Sequence, residues 1–255
     1  MRVLMVGDIV GQPGRRTLRK LLPGLREEYG IDAVVVNGEN AAGGFGLTLP
    51  TAQEILAAGV DVITSGNHIW DKREFYPHLD SELPVLRPVN YPRGVPGRGY
   101  LWINGLWVVN AIGQTWMGSF ESPFFTMDKV LKDLNAQGQA IVVDFHAEAS
   151  SEKNALGWYL DGRVSAVVGT HTHVGTIDTR ILPKGTAYVS DLGMTGVIDS
   201  IIGDTPESVL KRFLTAIPSP LEVGNGRTKL NAVLIDIDES TGLARSIQRV
   251  DRETD

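Results

Sequence analysis

Five short apolar runs, each followed at once by a polar cluster, constrain the fold of this chain most strongly. The runs cover residues 3–6, 33–36, 60–63, 140–143 and 164–168. They are rich in valine, and continuous runs of this kind are typical of strands that are covered on both faces. Because the segments between them carry helical patterning, the sequence predicts an α/β fold.

Helices and further strands complete the predicted architecture. Helices are expected at residues 17–29, 51–58, 71–79, 126–136 and 151–160, with Pro23 kinking or dividing the first of them. Asn104-Gly105 lies in an alternating segment between Tyr100 and Asn110 and favours a β-hairpin. Later strands are expected at residues 180–182, 186–190, 232–236 and 244–250. We therefore predict two packed mixed β-sheets flanked by helices, in four αββα layers.

Composition limits the classes of protein to which the chain can belong. Its 255 residues suit a single domain, 1–255, and the net charge of −6 without a basic block argues against stable binding of duplex DNA. There are no cysteines, which excludes disulfides, thiolate metal sites and cysteine nucleophiles. The first apolar run ends at Asp8, too early for a signal peptide or membrane span. We predict a cytoplasmic protein that does not bind membranes.

The polar clusters supply the side chains that bind metals. Ligands bind at the carboxyl ends of strands in open α/β sheets, so we expect the five clusters to converge on one sheet edge. Four of the five histidines lie in these clusters. Oxygen and imidazole donors suit manganese, iron or zinc, and more than four donors suggest two ions that share a carboxylate. The candidates are Asp8, Glu39, Asn40, Asn67, His68, His146, His171 and His173.

Each candidate taken alone also has a purely structural interpretation. An aspartate such as Asp8 after a strand is most often a turn or helix cap, and a lone histidine such as His146 is usually a hydrogen-bonded core or surface group. His171 and His173 differ, because residues i and i+2 of an extended segment point the same way. Independent caps and core histidines have no reason to converge, so the pattern as a whole favours a metal centre.

The same clusters carry a family resemblance. Read in order as GD, GEN, GNH, a lone H and GTHTH, they resemble the motifs of the calcineurin-like metallophosphoesterases over positions 1 to about 200. Two positions depart from the usual pattern: Val10 stands in place of a histidine, and Glu39 in place of the bridging aspartate. This variant is similar to the YmdB-type branch, which resembles phosphodiesterases acting on 2′,3′-cyclic nucleotides.

The resemblance implies a ligand set for two divalent ions, iron or manganese, with zinc as an alternative. One ion would be held by Asp8, Asn40 and His173, and the other by Asn67, His146 and His171. Glu39 would bridge both ions. Asn40 would then take the place of the histidine that is missing at Val10.

The predicted reaction is attack on phosphorus by a hydroxide shared by the two cations, with His68 as general acid for the leaving group. The alternative functions are a phosphomonoesterase such as a nucleotidase and a metal-binding regulatory protein with little turnover.

Glu148 and Lys153 are expected at a solvated helix start. We also predict a homo-oligomer through an aromatic-rich segment, comprising Trp102, Trp107, Trp116, Phe120, Phe124 and Phe125.

Overall fold

The computed structural model describes residues 1–135 and 137–255 of the chain. Its strands are β1 (Arg2–Val6), β2 (Asp8–Ile9), β3 (Ala33–Asn37), β4 (Val62–Thr64), β5 (Tyr100–Ile103), β6 (Leu106–Ile112), β7 (Ala140–His146), β8 (Ala166–Thr170), β9 (Arg180–Ile181), β10 (Ala187–Val189), β11 (Met194–Val197), β12 (Thr228–Leu230), β13 (Ala232–Asp238), β14 (Leu243–Arg249) and β15 (Arg252–Thr254). Its α-helices are α1 (Gly11–Tyr29), α2 (Leu49–Ala57), α3 (Tyr76–Leu79), α4 (Pro123–Leu134), α5 (Ser150–Leu160) and α6 (Pro206–Thr215).

The strands form two large mixed sheets and one small one. The first sheet has the order β14-β13-β1-β3-β4, in which β1 pairs in parallel with β3 and antiparallel with β13. The second has the order β5-β6-β7-β8-β10-β9, with parallel pairing from β6 to β10 and antiparallel strands at both edges. A small sheet, β15-β12-β11-β2, was not predicted from the sequence.

Three hydrophobic clusters hold four layers together. One cluster joins the facing sides of the two large sheets, for example Val35 of β3 and Val142 of β7. A second packs α1 and α2 on the outer face of the first sheet, and a third packs α4 and α5 on the outer face of the second. The predicted sandwich of two mixed sheets flanked by helices is confirmed.

Two helix predictions need correction. The helix α1 begins at Gly11 and continues through Pro23 without dividing. A Cβ atom at Gly14 would lie 2.3 Å from the carbonyl oxygen of Thr195. Glycine at this position therefore allows the helix to approach β11 closely. Residues 71–79 form a short 3₁₀ turn at Arg73–Phe75 and then α3, because a proline fits only the first turn of a helix.

Other elements lie close to the predicted positions. The hairpin of β5 and β6 turns at Asn104 and Gly105, whose φ angles of 50° and 81° suit the tight turns that this dipeptide favours. The helix predicted at 126–136 corresponds to α4, and Ala136, its expected last residue, lies outside the described residues. Within the described part of the chain, no helix is both long enough and apolar enough to cross a membrane.

Candidate metal centre

The predicted ligands come together, but from more than one sheet edge. Glu39 and Asn67 follow β3 and β4 of the first sheet, whereas His146 ends β7 of the second. Asp8 follows β1 and begins β2 of the small sheet. The expectation of a single sheet edge is wrong, since the donors meet where strand ends of packed sheets face one another.

The first group of donors surrounds Nε2 of His146. This nitrogen lies 3.0 Å from Oδ1 of Asn67, 3.0 Å from Nδ1 of His171 and 3.0 Å from Oε1 of Glu39. A single proton on Nε2 could bond only one of these neighbours. Ligands at right angles around one ion, each about 2.1 Å from it, lie about 3 Å apart. The spacing of these four atoms therefore fits a shared divalent ion.

The second group consists of Asp8, Asn40 and His173. Nε2 of His173 lies 3.0 Å from the side-chain amide of Asn40 and 3.9 Å from Oδ1 of Asp8. The imidazole is oriented by its other nitrogen, Nδ1, which donates to the carbonyl oxygen of Ile202 at 2.6 Å. Nε2 is thus left with a lone pair, which accepts from Nδ2 of Asn40. These residue types match the ligands of a second divalent ion.

Two carboxylate oxygens in the centre are buried without hydrogen bonds. Among the described residues, Oδ1 of Asp8 and Oε1 of Glu39 have no donor, and Oε1 contacts His146 at 3.0 Å without hydrogen-bond geometry. Their partner oxygens are satisfied: Oδ2 of Asp8 accepts from the backbone of His171, and Oε2 of Glu39 from the backbone of His68. A buried carboxylate oxygen without a donor is costly, and a bound cation would remove that cost.

His171 and His173 do not lie in an extended segment. Their φ angles are 102° and 64°, a region that residues other than glycine seldom adopt. The predicted extended geometry is therefore wrong, although both residues line the same cleft. The turned backbone sends His171 to the group around His146 and His173 to the group with Asp8.

In the absence of cations, burial and the charges of neighbouring side chains determine which side chains of the centre carry a proton. Burial raises the pKa of Asp8 to about 6, against the opposing effects of His173 and His146. Burial would raise the pKa of Glu39, but the charge of His146 lowers it to about 2. Burial would lower the pKa of His146, but the Glu39 carboxylate raises it to about 9. Burial, reinforced by the charge of His146, lowers the pKa of His171 to about 3.

A buried polar network beneath His146 was missed in the sequence. Oγ1 of Thr170 donates to Oδ1 of Asp144 at 2.7 Å, so it accepts from Nδ1 of His146 at 2.9 Å. This arrangement places the proton of a neutral His146 on Nδ1 and leaves Nε2 free for a metal. Thr64 and Asn37 also bond Asp144. The spacing in the sequence could have indicated this network. Asp144 precedes His146 by two residues and so points to the same face of β7.

A cleft of about 290 Å³ opens over the donors. His68 lines it, with Nδ1 2.8 Å from Oδ2 of Asp71 and its ring in an edge contact with Phe45 at a centroid distance of 5.0 Å. Glu148 and Asp204 also line the cleft. Among the described residues, its lining contains no lysine or arginine. His68 thus stands beside the donors in a cleft whose rim is acidic.

Glu148 is exposed just before α5, as expected, but Lys153 is not at a solvated helix start. Oε2 of Glu148 lies 3.1 Å from Nε2 of His171. Lys153 is buried in α5, and its Nζ lies 2.6 Å from Oδ2 of Asp191. The same carboxylate oxygen of Asp191 accepts from the backbone of Thr172, so Lys153 supports the segment that carries His171.

The layered fold is that of the calcineurin-like metallophosphoesterases. Within that class the chain belongs to the YmdB-like protein family, whose model matches residues 4–250. It is 47% identical over 254 residues to a 2′,3′-cyclic-nucleotide 2′-phosphodiesterase from Bacillus subtilis (strain 168), and the alignment covers 98% of this chain and 96% of the relative.

Two solved structures are similar over nearly the whole chain. A hypothetical protein from Thermus thermophilus is 43% identical, with a TM-score of 0.92 and coverage of 99% of both chains. A novel phosphatase from Mycoplasma pneumoniae is 31% identical, also with a TM-score of 0.92, covering 99% of this chain and 93% of the other. The protein is accordingly an enzyme of the phosphatase and phosphodiesterase type.

Proposed function

We propose that the protein hydrolyses 2′,3′-cyclic nucleotides. The observation that carries this proposal is the cleft itself, which combines two groups of metal-binding side chains with His68 and an acidic rim. The name of the Bacillus subtilis relative, which aligns with this chain over almost its full length, supports the same substrate class.

Two divalent ions, iron or manganese, are proposed to complete the centre. Asp8, Asn40 and His173 would hold one ion, and Asn67, His146 and His171 the other, with Glu39 between them. When bound, such ions make a water molecule acidic enough to act as nucleophile and neutralise charge on the phosphoryl oxygens. The spacing of the donors around His146 and the unbonded oxygen of Asp8 support this assignment.

His68 is proposed to protonate the leaving ribose oxygen. Its Nδ1–H donates to Asp71, which fixes the ring and leaves Nε2 to hold the proton that is transferred. Its backbone N–H donates to Glu39. This bond holds the proposed acid next to the proposed bridging ligand. Asn67, next to His68 in the chain, contributes a neutral oxygen that adds no negative charge beside the incoming phosphate.

The charge of the cleft favours a diester over a monoester. A phosphodiester carries one negative charge, whereas a monoester near neutral pH carries close to two. Enzymes that bind the second charge commonly place arginine or lysine around it. Glu148 and Asp204 stand at this rim instead, so the nucleotidase alternative is disfavoured.

Three further properties of the chain are proposed. Residues 1–255 act as one domain, supported by the pairing of β1 with β13 near opposite ends of the chain. The protein works in the cytoplasm, which its lack of cysteine suits. It forms a homo-oligomer through the aromatic-rich segment, in which Trp102 and Trp116 are 46% and 84% exposed.

A substrate panel tests the proposed function. Manganese-loaded protein is assayed with 2′,3′-cyclic nucleotides, 3′,5′-cyclic nucleotides, linear diesters and nucleoside monophosphates. We expect the highest kcat/KM for the 2′,3′-cyclic substrates and the lowest for the monoesters. A preference for monoesters would establish the nucleotidase alternative, and no turnover of any substrate would favour a regulatory protein.

A further inference from the structure

A second cavity lies apart from the metal centre. It has a volume of about 500 Å³, against about 290 Å³ for the cleft over the metal donors, and the two share no lining residue. One wall is formed by the segment after β4 and the other by the first turns of α4. Its lining includes three cations, Arg87, Arg93 and Lys129.

These cations lack acidic partners. Over residues 1–135 and 137–255, none of the three has a carboxylate oxygen within 4.0 Å. Glu121 and Asp133 also line the cavity, but the cations outnumber them. Positive charge that is gathered around a concave surface and is not neutralised by the protein attracts anions.

Arg87 is the best-oriented of the three. Its Nε donates to the carbonyl oxygen of Pro96 at 3.2 Å, and its Nη1 to that of Pro88 at 2.9 Å. Among the described residues, Nη2 makes no hydrogen bond, so one edge of the guanidinium is fixed while the other remains available. Burial lowers the pKa of Arg87, opposed by Tyr91 and Asp80, but an arginine stays charged. A partly buried guanidinium that has no carboxylate within ion-pair distance is stabilised by binding an anion.

The opposite wall adds a hydroxyl group and the positive end of a helix dipole. Ser122 precedes α4 and lines the cavity, and its side chain makes no capping bond to the helix. The first N–H groups of this 12-residue helix carry its positive partial charge. They reinforce the anion preference that the three cations establish.

Aromatic side chains indicate what the anion is attached to. Phe125 is 75% exposed and lines the cavity together with Tyr91 and Tyr100. Exposed aromatic rings beside basic groups suit a nucleobase that is linked to a phosphate. The ring of Tyr91 also packs edge-on against Trp70 at 5.5 Å, and Trp70 ends the 3₁₀ turn that begins with Asn67.

We propose that this cavity is a nucleotide-binding site, with Arg87, Arg93 and Lys129 contacting the phosphate and Phe125 the base. It is separate from the metal centre and does not depend on the reaction proposed there. The phosphate can belong to a free nucleotide or to an RNA chain, since both present the same chemistry.

Calorimetric titration of the full-length, manganese-loaded protein tests the site. The probes are adenosine 5′-monophosphate, adenosine and a short oligoribonucleotide. Lys129→Ala and Arg93→Ala are the informative variants, because neither side chain has an ion-pair partner in the described chain whose loss would disturb folding. Lys132→Ala, an exposed lysine on the same helix, is the matched control.

We expect one adenosine monophosphate binding event to weaken by about tenfold in Lys129→Ala and in Arg93→Ala, while Lys132→Ala binds like the wild type. Adenosine should not produce this event. Equal affinities of nucleotide and oligoribonucleotide would identify a free nucleotide as the ligand, and tighter oligoribonucleotide binding an RNA phosphate. The proposal is overturned if both variants bind like the wild type, or if Lys132→Ala weakens binding equally.

Discussion

Nδ1 of His68 lies 2.8 Å from Oδ2 of Asp71, three residues further along the chain. The carboxylate accepts the Nδ1 proton and so fixes both the orientation and the tautomer of the ring. Neither atom belongs to the proposed ligand set. The pair can therefore be altered while the metal-binding side chains remain in place.

Replacement of His68 should separate catalysis from metal binding. We expect His68→Ala to keep its metal and lose about 10²–10⁴-fold in turnover of a 2′,3′-cyclic nucleotide. The loss should be much smaller for a p-nitrophenyl diester, because p-nitrophenolate leaves without a proton. The measurement is kcat for both substrates alongside metal content. Equal losses on both substrates, or loss of metal, would show that His68 is not the acid.

Asn67→Ala is the matched comparison for that experiment. Asn67 lies 3.0 Å from His146 within the first donor group, so its removal should weaken metal binding. The kcat for both substrates should then fall by the same factor, and added manganese should restore part of the activity.

Replacement of Glu39 should reduce metal occupancy and activity together. A carboxylate can bridge two ions, whereas the amide in Glu39→Gln bridges poorly. Metal content after gel filtration and turnover are measured on the same samples. Glu27→Gln, at an exposed position on α1, should match the wild type in both. Full metal occupancy in Glu39→Gln would contradict the proposed role of this carboxylate.

Metal affinity should increase with pH. In the cation-free centre the Glu39 carboxylate, acting against burial, raises the pKa of His146 to about 9, so the imidazole is protonated near neutral pH. Metal binding must displace that proton, and each proton displaced strengthens apparent affinity by about tenfold per pH unit below this pKa. Manganese affinities at about pH 6.5 and about pH 8 provide the comparison. An affinity that is constant or falls over this range would contradict the coupling.

Lys153 should matter for stability although it touches no proposed ligand side chain. Lys153→Met leaves Asp191 buried without its cation, which typically costs about 3–5 kcal/mol. Urea denaturation of the metal-free protein measures the loss. The double variant Lys153→Met/Asp191→Asn should recover part of it, and Lys132→Met should change stability by less than about 0.5 kcal/mol. A wild-type midpoint for Lys153→Met would show that the pair contributes little.

Apolar patterning predicted the layers because burial on both faces of a strand leaves a continuous hydrophobic run. Such a run does not reveal that β3 and β7 belong to different sheets, since both are covered in the same way. The small sheet was missed because β2 and β12 are very short and gain their neighbours only from distant parts of the chain.

The identity of the candidate ligands was accessible from the sequence, but their geometry was not. The spacing of His171 and His173 suggested a shared direction, which their positive φ angles overrule. Lys153 looked like a surface residue until its partner Asp191, 38 residues later, was located. Contacts of this kind depend on tertiary packing and leave no local pattern.

Turnover of 2′,3′-cyclic AMP before and after chelation, with metal content measured on the same samples, tests whether a dinuclear metal centre performs the reaction. We expect chelated protein to be inactive, and activity to return with manganese and reach its maximum at two ions per chain. Full activity in protein shown to be metal-free would contradict that expectation, as would complete recovery with a single ion per chain.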